Sequence, residues 1–121
     1  MQNLGIAITG SGSAIPKTSL DNQGIMNFVD TCDEWVTTRT GIRQRHLASC
    51  NDSLTQLASV SAKNAIAMAG ITPQEIDLIL LATSTPDDLF GSACQIQGRI
   101  GATRAVAFDL TAACSGFIFG M

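Results

Sequence analysis

The chain has 121 residues, 45% hydrophobic and 14% charged, a balance that supports one small domain with a buried sheet and excludes a disordered segment. Seven Lys and Arg against ten Asp and Glu give a net charge of −3 with no basic run, which argues against nucleic acid as a partner. No apolar run approaches the roughly 18–20 residues of a membrane span, and Met1 to Pro16 lacks the basic start and long apolar core of a signal peptide, so no membrane partner and a reducing, cytoplasmic location are expected.

Leu4 to Thr9 reads as a buried strand, followed by the turn-tolerant loop Gly10-Ser11-Gly12-Ser13. Gly10-x-Gly12 lacks the third glycine and the lysine of the phosphate-binding patterns, so no nucleotide loop is read there. Asn22 is placed to cap a short helix from Gln23 to Val29. Thr31-Cys32-Asp33-Glu34 has the form of a capping box opening a helix that carries Trp35 and Arg39 and stops at Gly41.

Asp52 or Ser53 caps a longer helix through Ala69, in which Leu54, Leu57, Ala58, Ala62, Ala65, Ile66 and Ala69 trace one apolar face and Gly70 ends it. Thr72-Pro73-Gln74-Glu75 repeats the cap pattern before a strand from Leu78 to Thr83, which has no polar alternation and so reads as a strand covered on both faces. After the loop of Pro86, Asp87 and Asp88, the last pair read as solvated, Ser92 to Ile100 is helical and Ala105 to Asp109 is the next strand. Gly24 and Gly98 fall inside predicted helices, at about 0.5–1 kcal/mol each relative to alanine. The order βααβαβα predicts a parallel α/β sheet covered by helices. Ser115 to Met121 resembles the first two turns of an apolar helix with no cap behind it, so a longer parent chain is expected to cover it.

Cys114 follows the apolar strand through Thr111-Ala112-Ala113 and precedes the helix of Gly116, Phe117, Ile118 and Phe119. A thiol so placed faces unpaired backbone N–H groups and the positive end of a helix dipole, which favours thiolate by about 0.3–1 kcal/mol. Ala112, Ala113 and Gly116 leave room for a substrate carbonyl, which suits a nucleophile; a buried core cysteine is the other reading of the same pattern. Cys32, Cys50 and Cys94 lack that context, there is no C-x-x-C pair, and the one histidine, His46, completes no ligand set, so no metal is expected. His46 beside Arg45 reads as a satisfied loop residue rather than a base.

Trp35 and Arg39 lie four apart on one helix face, one turn after Thr31, and offer a stacking plane for a purine and a guanidinium for phosphate. A half-buried tryptophan beside a surface arginine is the plainer alternative. Phe90, in the loop after the Leu78 strand, is either pocket lining or core.

Four runs, Val29-Asp30-Thr31-Cys32-Asp33-Glu34-Trp35, Thr38 to His46, Ser92 to Gln97 and Ala107 to Phe117, together resemble beta-ketoacyl-[acyl-carrier-protein] synthase III in order and spacing, over the whole chain. The resemblance implies that residues 1–121 are the N-terminal portion of a thiolase-like condensing-enzyme domain, incomplete at its C-terminal end. It implies the initiating condensation of fatty acid biosynthesis, in which acetyl-CoA acylates a cysteine and malonyl-[acyl-carrier-protein] then condenses with loss of carbon dioxide to give acetoacetyl-[acyl-carrier-protein]. Coenzyme A thioester is a substrate there, and no separate cofactor is implied.

Residue by residue, Cys114 matches the acyl-accepting nucleophile, Trp35 the residue stacked on the coenzyme A adenine, and Thr31 and Arg39 neighbours on the same nucleotide. Phe90 matches the aromatic that closes the acyl pocket of the partner subunit in a homodimer, and Cys94 to Asp109 the segment forming much of the dimer contact. The family also uses a downstream histidine, asparagine and glycine N–H that have no counterpart among these residues, and His46 is not that histidine. These 121 residues alone are therefore not expected to condense. Two other readings are a non-catalytic remnant that dimerises or binds coenzyme A, and a redox-sensing thiol protein with Cys114 as its sensor.

Overall fold

Asparagine at position 22 organises the segment Ile15–Asp52, one of two units into which the chain divides. A computed structural model of the chain describes residues 5–121. In this unit β1 (Thr18–Asp21) leads into a single turn, α1 (Asn22–Ile25), then α2 (Asp33–Thr40) and β2 (Gln44–Leu47). β1 and β2 pair antiparallel, with Leu20 opposite Arg45 and Ser19 opposite His46. Neither strand was legible in the sequence, because TSLD and QRHL carry no apolar alternation to mark them.

Asn22 is 1% exposed. Its Nδ2 donates to Asp33 Oδ1 at 2.7 Å and to the Ile42 carbonyl at 2.9 Å, and its Oδ1 accepts from Arg45 Nη2 at 2.9 Å. This side chain therefore does not cap the first helix as expected. Asp21 does, accepting from the Gly24 N–H at 2.7 Å, which leaves Asn22 free to tie α1, α2 and β2 together. A Cβ at Gly24 would meet the end of the Leu20 side chain, which would have to turn aside to admit it.

The second unit comprises Ser53–Met121 and the described part of Met1–Ala14. α3 (Leu54–Ala69) has Ser53 as its N-cap, with Oγ accepting from Gln56 N–H at 3.1 Å, and ends at Gly70 in the left-handed conformation. Asp52, the other candidate cap, instead accepts from the Ser49 N–H and hydroxyl within the first unit. A short 3-10 turn at Pro73–Glu75 precedes β3 (Leu78–Ala82); α4 (Ser92–Ile100) then leads to β4 (Val106–Leu110). β3 and β4 pair in parallel, Leu78 opposite Val106 and Ala82 opposite Leu110. A 3-10 turn at Ala113–Ser115 opens α5 (Gly116–Gly120).

Ile96, Ile100, Ala102 and Ala105 form the buried core, with Ala58, Ala62 and Ile66 of α3 and Ile79 and Leu81 of β3 packed against it. Burying a large aliphatic such as Ile96 contributes about 1.5–3 kcal/mol. Gln97 Nε2 donates to the Ala102 carbonyl at 3.1 Å and to the Ala105 carbonyl, closing the turn between α4 and β4.

One expectation changes here. Leu4 lies outside the described residues, and residues 5–9 form no strand, with Ile6 93% and Ile8 82% exposed. A strand needs a neighbour to pair with, and among the described residues none is offered there. β3, expected to be covered on both faces, carries helices on each: Ile79 and Leu81 pack against the α3 and α4 core, while Leu80 and Ala82 lie against α5, and only Leu78 and Ala82 at its ends are left exposed. The Gly10-x-Gly12 loop has its own explanation, because a Cβ at either glycine would run into the α3 backbone at Ala65 or Ser61. Ser61 Oγ donates to the Gly12 carbonyl at 2.6 Å across that contact. No helix among the described residues is long and apolar enough to cross a membrane.

Candidate active site

Beyond β4 the parallel ladder is prolonged by Thr83 N–H donating to the Leu110 carbonyl at 3.1 Å and Thr111 Oγ1 to the Thr83 carbonyl at 3.3 Å. The backbone then turns sharply. Ala113 has φ of 43°, a left-handed conformation that a residue with a Cβ adopts at some cost in strain. Cys114 follows it within the 3-10 turn and is exposed, so it is not a core side chain of the described residues. This is the strand, tight turn and helix order in which a nucleophile stands clear of the sheet.

Gly116 serves a purpose other than the one expected. It is buried, and a Cβ added to it would lie 2.9 Å from the Ala82 Cβ of β3. Its smallness lets α5 start hard against the sheet instead of leaving room for substrate; Ala112 and Ala113 remain as the small flanks of the sulfur.

α4 opens at Gly91-Ser92-Ala93 with no capping side chain of its own. Its free N–H groups are met from β4, where Asp109 accepts from Ser92 N–H at 2.9 Å and Ala93 N–H at 2.7 Å. Asp87 does the same for α3, accepting from Leu54 N–H at 3.1 Å and Thr55 N–H at 2.8 Å. The Thr55 backbone N–H, followed by its hydroxyl, holds the Asp87 carboxyl below its ordinary value, with Leu54 N–H and Arg99 acting the same way. Asp88 accepts from Phe90 N–H at 2.8 Å and from Gln95 Nε2. The expectation that Asp87 and Asp88 are merely solvated is thus corrected. Both satisfy backbone donors, Asp87 across 32 residues of sequence, a distance that local pattern does not reveal.

In the first unit, a cleft of about 590 Å³ is lined by Ile25, Val29, Asp30, Thr31, Cys32, Trp35 and Val36. Trp35 is 53% exposed, and the Arg39 guanidinium lies 4.8 Å from the centre of its ring. At an exposed site such a pair is worth about 0.5–1 kcal/mol, and it sets an aromatic plane and a positive charge side by side. Thr31 and Trp35 thus line one cleft, and Arg39 lies over the Trp35 ring without lining it.

Thr31 is not the cap of α2. That place is taken by Cys32, whose Sγ accepts from the Trp35 N–H at 3.4 Å, a role hidden from sequence because a thiol is a poor acceptor. The Thr31 Oγ1 is buried at the cleft without a hydrogen-bond partner. The Asp33 carboxyl is held below its ordinary value by the Asn22 amide first, then by the Thr37 hydroxyl and by Arg43.

Phe90 is 93% exposed at its loop tip beside Leu89, at 98%, so it belongs to neither core nor cleft among the described residues. His46 is in β2, its Nδ1–H donating to the Pro16 carbonyl at 2.7 Å, and is thereby occupied. Cys114 and Phe90 fall in one unit, Thr31, Trp35 and Arg39 in the other.

Over all 121 residues the chain is 68% identical to the beta-ketoacyl-[acyl-carrier-protein] synthase III of Trichormus variabilis and covers 37% of that protein. It is 59% identical to the corresponding synthase of Trichodesmium erythraeum, again over 121 residues and 37% of its length. Among solved structures, 3-oxoacyl-[acyl-carrier-protein] synthase III from Aquifex aeolicus matches with a TM-score of 0.88 and 46% identity, over 95% of this chain and 37% of that one. The priming beta-ketosynthase of the R1128 polyketide pathway matches with a TM-score of 0.87 and 33% identity, over 93% of this chain and 34% of that one. No family model matches the chain. The chain thus spans little more than a third of the length of the relatives it matches, and its partial α/β architecture is theirs.

Proposed function

Because this chain is homologous over its full length to part of beta-ketoacyl-[acyl-carrier-protein] synthase III and shares its thiolase-like fold, we propose that a protein carrying it performs the condensation that starts fatty acid synthesis. Cys114 Sγ attacks the thioester carbonyl of acetyl-CoA; the new bond joins sulfur to acetyl, and coenzyme A leaves as its thiol. Malonyl-[acyl-carrier-protein] then loses carbon dioxide, and the carbanion so formed attacks the acetyl carbonyl. Acetoacetyl-[acyl-carrier-protein] results and the Cys114 sulfur is freed. The histidine, asparagine and second amide that this reading needs come from outside these 121 residues.

The observation that carries the proposal is the exposed Cys114 on a strained turn directly after a parallel strand, in a chain 68% identical to such a synthase. The cleft supports it. Trp35 stacks on the adenine, Arg39 meets a phosphate, and the unpartnered Thr31 hydroxyl accepts or donates to the same nucleotide. Phe90 closes the acyl pocket across a homodimer, and the protein works in the cytoplasm.

Incubating the complete protein with acetyl-CoA is expected to add one acetyl group to the intact mass, an adduct that Cys114→Ala abolishes. An adduct that persists in that variant overturns the assignment. Trp35→Ala is expected to raise KM for coenzyme A thioesters about tenfold with little change in kcat, since stacking is binding shared by ground and transition states. Oxidation of Cys114 by peroxide that a thiol reductant reverses, without acyl transfer, would favour the sensor reading instead.

A further inference from the structure

None of the eight residues of α2 is buried among the described residues, so no apolar ridge locks the roll of this helix about its own axis. A single side chain from outside grips it instead. The Asn22 amide, 1% exposed, donates to Asp33 Oδ1 at 2.7 Å and to Thr37 Oγ1 at 3.3 Å, and the Thr37 hydroxyl donates in turn to Asp33 Oδ1 at 3.2 Å. The same amide holds the Ile42 carbonyl at 2.9 Å, just past the left-handed Gly41 that ends the helix. Its oxygen accepts from Arg45 of β2, which also donates to the Asp21 carbonyl of β1 at 3.3 Å. The helix is thereby referred to both strands through one buried group.

Asp33 and Thr37, four residues apart, share one face of α2. Trp35 and Arg39 each follow by two residues, which at 3.6 residues per turn sets them about 200° round the axis, on the side where Trp35 is half exposed and lines the cleft. Any roll of α2 carries the ring and the guanidinium with it. We propose that Asn22 is a positioning residue that, through Asp33 and Thr37, sets this roll and so directs Trp35 and Arg39 at the nucleotide end of coenzyme A. The inference rests on the reading that this pair holds that nucleotide. Loss of the grip weakens nucleotide binding and spares the thioester chemistry, since Cys114 belongs to the other unit.

The test divides kcat/KM for acetyl-CoA by kcat/KM for S-acetylpantetheine, which keeps the thioester but has neither adenine nor phosphate. It is run on the complete protein and on Trp35→Ala, Asn22→Ala, Asp33→Ala and Asp33→Asn. Partial unfolding lowers both values alike and cancels in the ratio, so a merely structural role does not move it. Trp35→Ala is expected to lower the ratio about tenfold through KM for acetyl-CoA. Asn22→Ala and Asp33→Ala are each expected to lower it about fivefold, the worth of one net hydrogen bond. Asp33→Asn, which loses the charge but keeps an acceptor for the Asn22 amide, is expected to stay within about twofold of the unaltered protein. A ratio lowered by Trp35→Ala but by neither Asn22→Ala nor Asp33→Ala overturns the positioning role alone, as does a fall in Asp33→Asn equal to that in Asp33→Ala, which would lay the effect to charge. A ratio unmoved by Trp35→Ala overturns the nucleotide reading and the positioning role together. If Asn22→Ala gives too little folded protein to assay, Asp33→Ala decides the matter.

Discussion

Replacing Asn22 by alanine removes the amide that joins three elements of the Ile15–Asp52 unit. The side chain is 1% exposed, so water does not freely replace what it gives up. The bonds to the Ile42 carbonyl and from Arg45 contribute roughly 1 kcal/mol each, and the carbonyl left behind carries a further desolvation cost, for a total of about 2–3 kcal/mol. The bond to Asp33 adds a dependence on pH. The Asp33 carboxyl sits below its ordinary value of 3.8 chiefly because the Asn22 amide donates to its anion. As pH falls, the unfolded chain takes up that proton first, so this contribution is whole above about 3.8 and vanishes as pH drops through the lower folded value. Urea unfolding followed by the fluorescence of Trp35, the chain's one tryptophan, measures both effects. Asn22→Ala should lower stability by the stated amount at pH 7 and flatten the acid limb. A loss below about 0.5 kcal/mol, or an unchanged acid limb, would refute the reasoning.

Gly116→Ala is expected to cost about 1–3 kcal/mol by forcing its new methyl against Ala82, and the double change with Ala82→Gly should recover most of it in the same urea assay. Gly98→Ala should do the opposite. Nothing lies within 4 Å of a Cβ built there, so only the helix-propensity gain of about 0.5–1 kcal/mol remains, read as a higher Tm.

What could be read from the sequence was whatever is written locally. The span and both ends of α3 followed from the Ser53 cap, the apolar face and Gly70, and α4 with its flanking parallel strands from periodicity and turn residues. Cys114 and the Trp35–Arg39 pair were visible for the same reason, since each is a short-range pattern. The antiparallel pair of β1 and β2 was not, because polar strands some 24 residues apart in sequence leave no mark of their pairing. Caps slipped by one residue at Asp21 and Cys32, where two adjacent acceptors compete or an unusual one wins. Asp87 and Asp109 were missed although a signal existed. A helix opening on Gly-Ser-Ala without its own acceptor must find one elsewhere, and a carboxylate at a strand end is a natural place to look.

Cys32, Cys50, Cys94 and Cys114 are all exposed. An alkylating reagent therefore meets four competing sulfurs, and inhibition by iodoacetamide does not by itself identify the one responsible. Cys32 compounds the ambiguity, because alkylating it removes the acceptor at the start of α2 and so disturbs the segment bearing Trp35. Under the proposed acyl transfer, inactivation of the complete protein has to be matched to occupancy at each sulfur by peptide mapping, with protection by acetyl-CoA compared between Cys32 and Cys114.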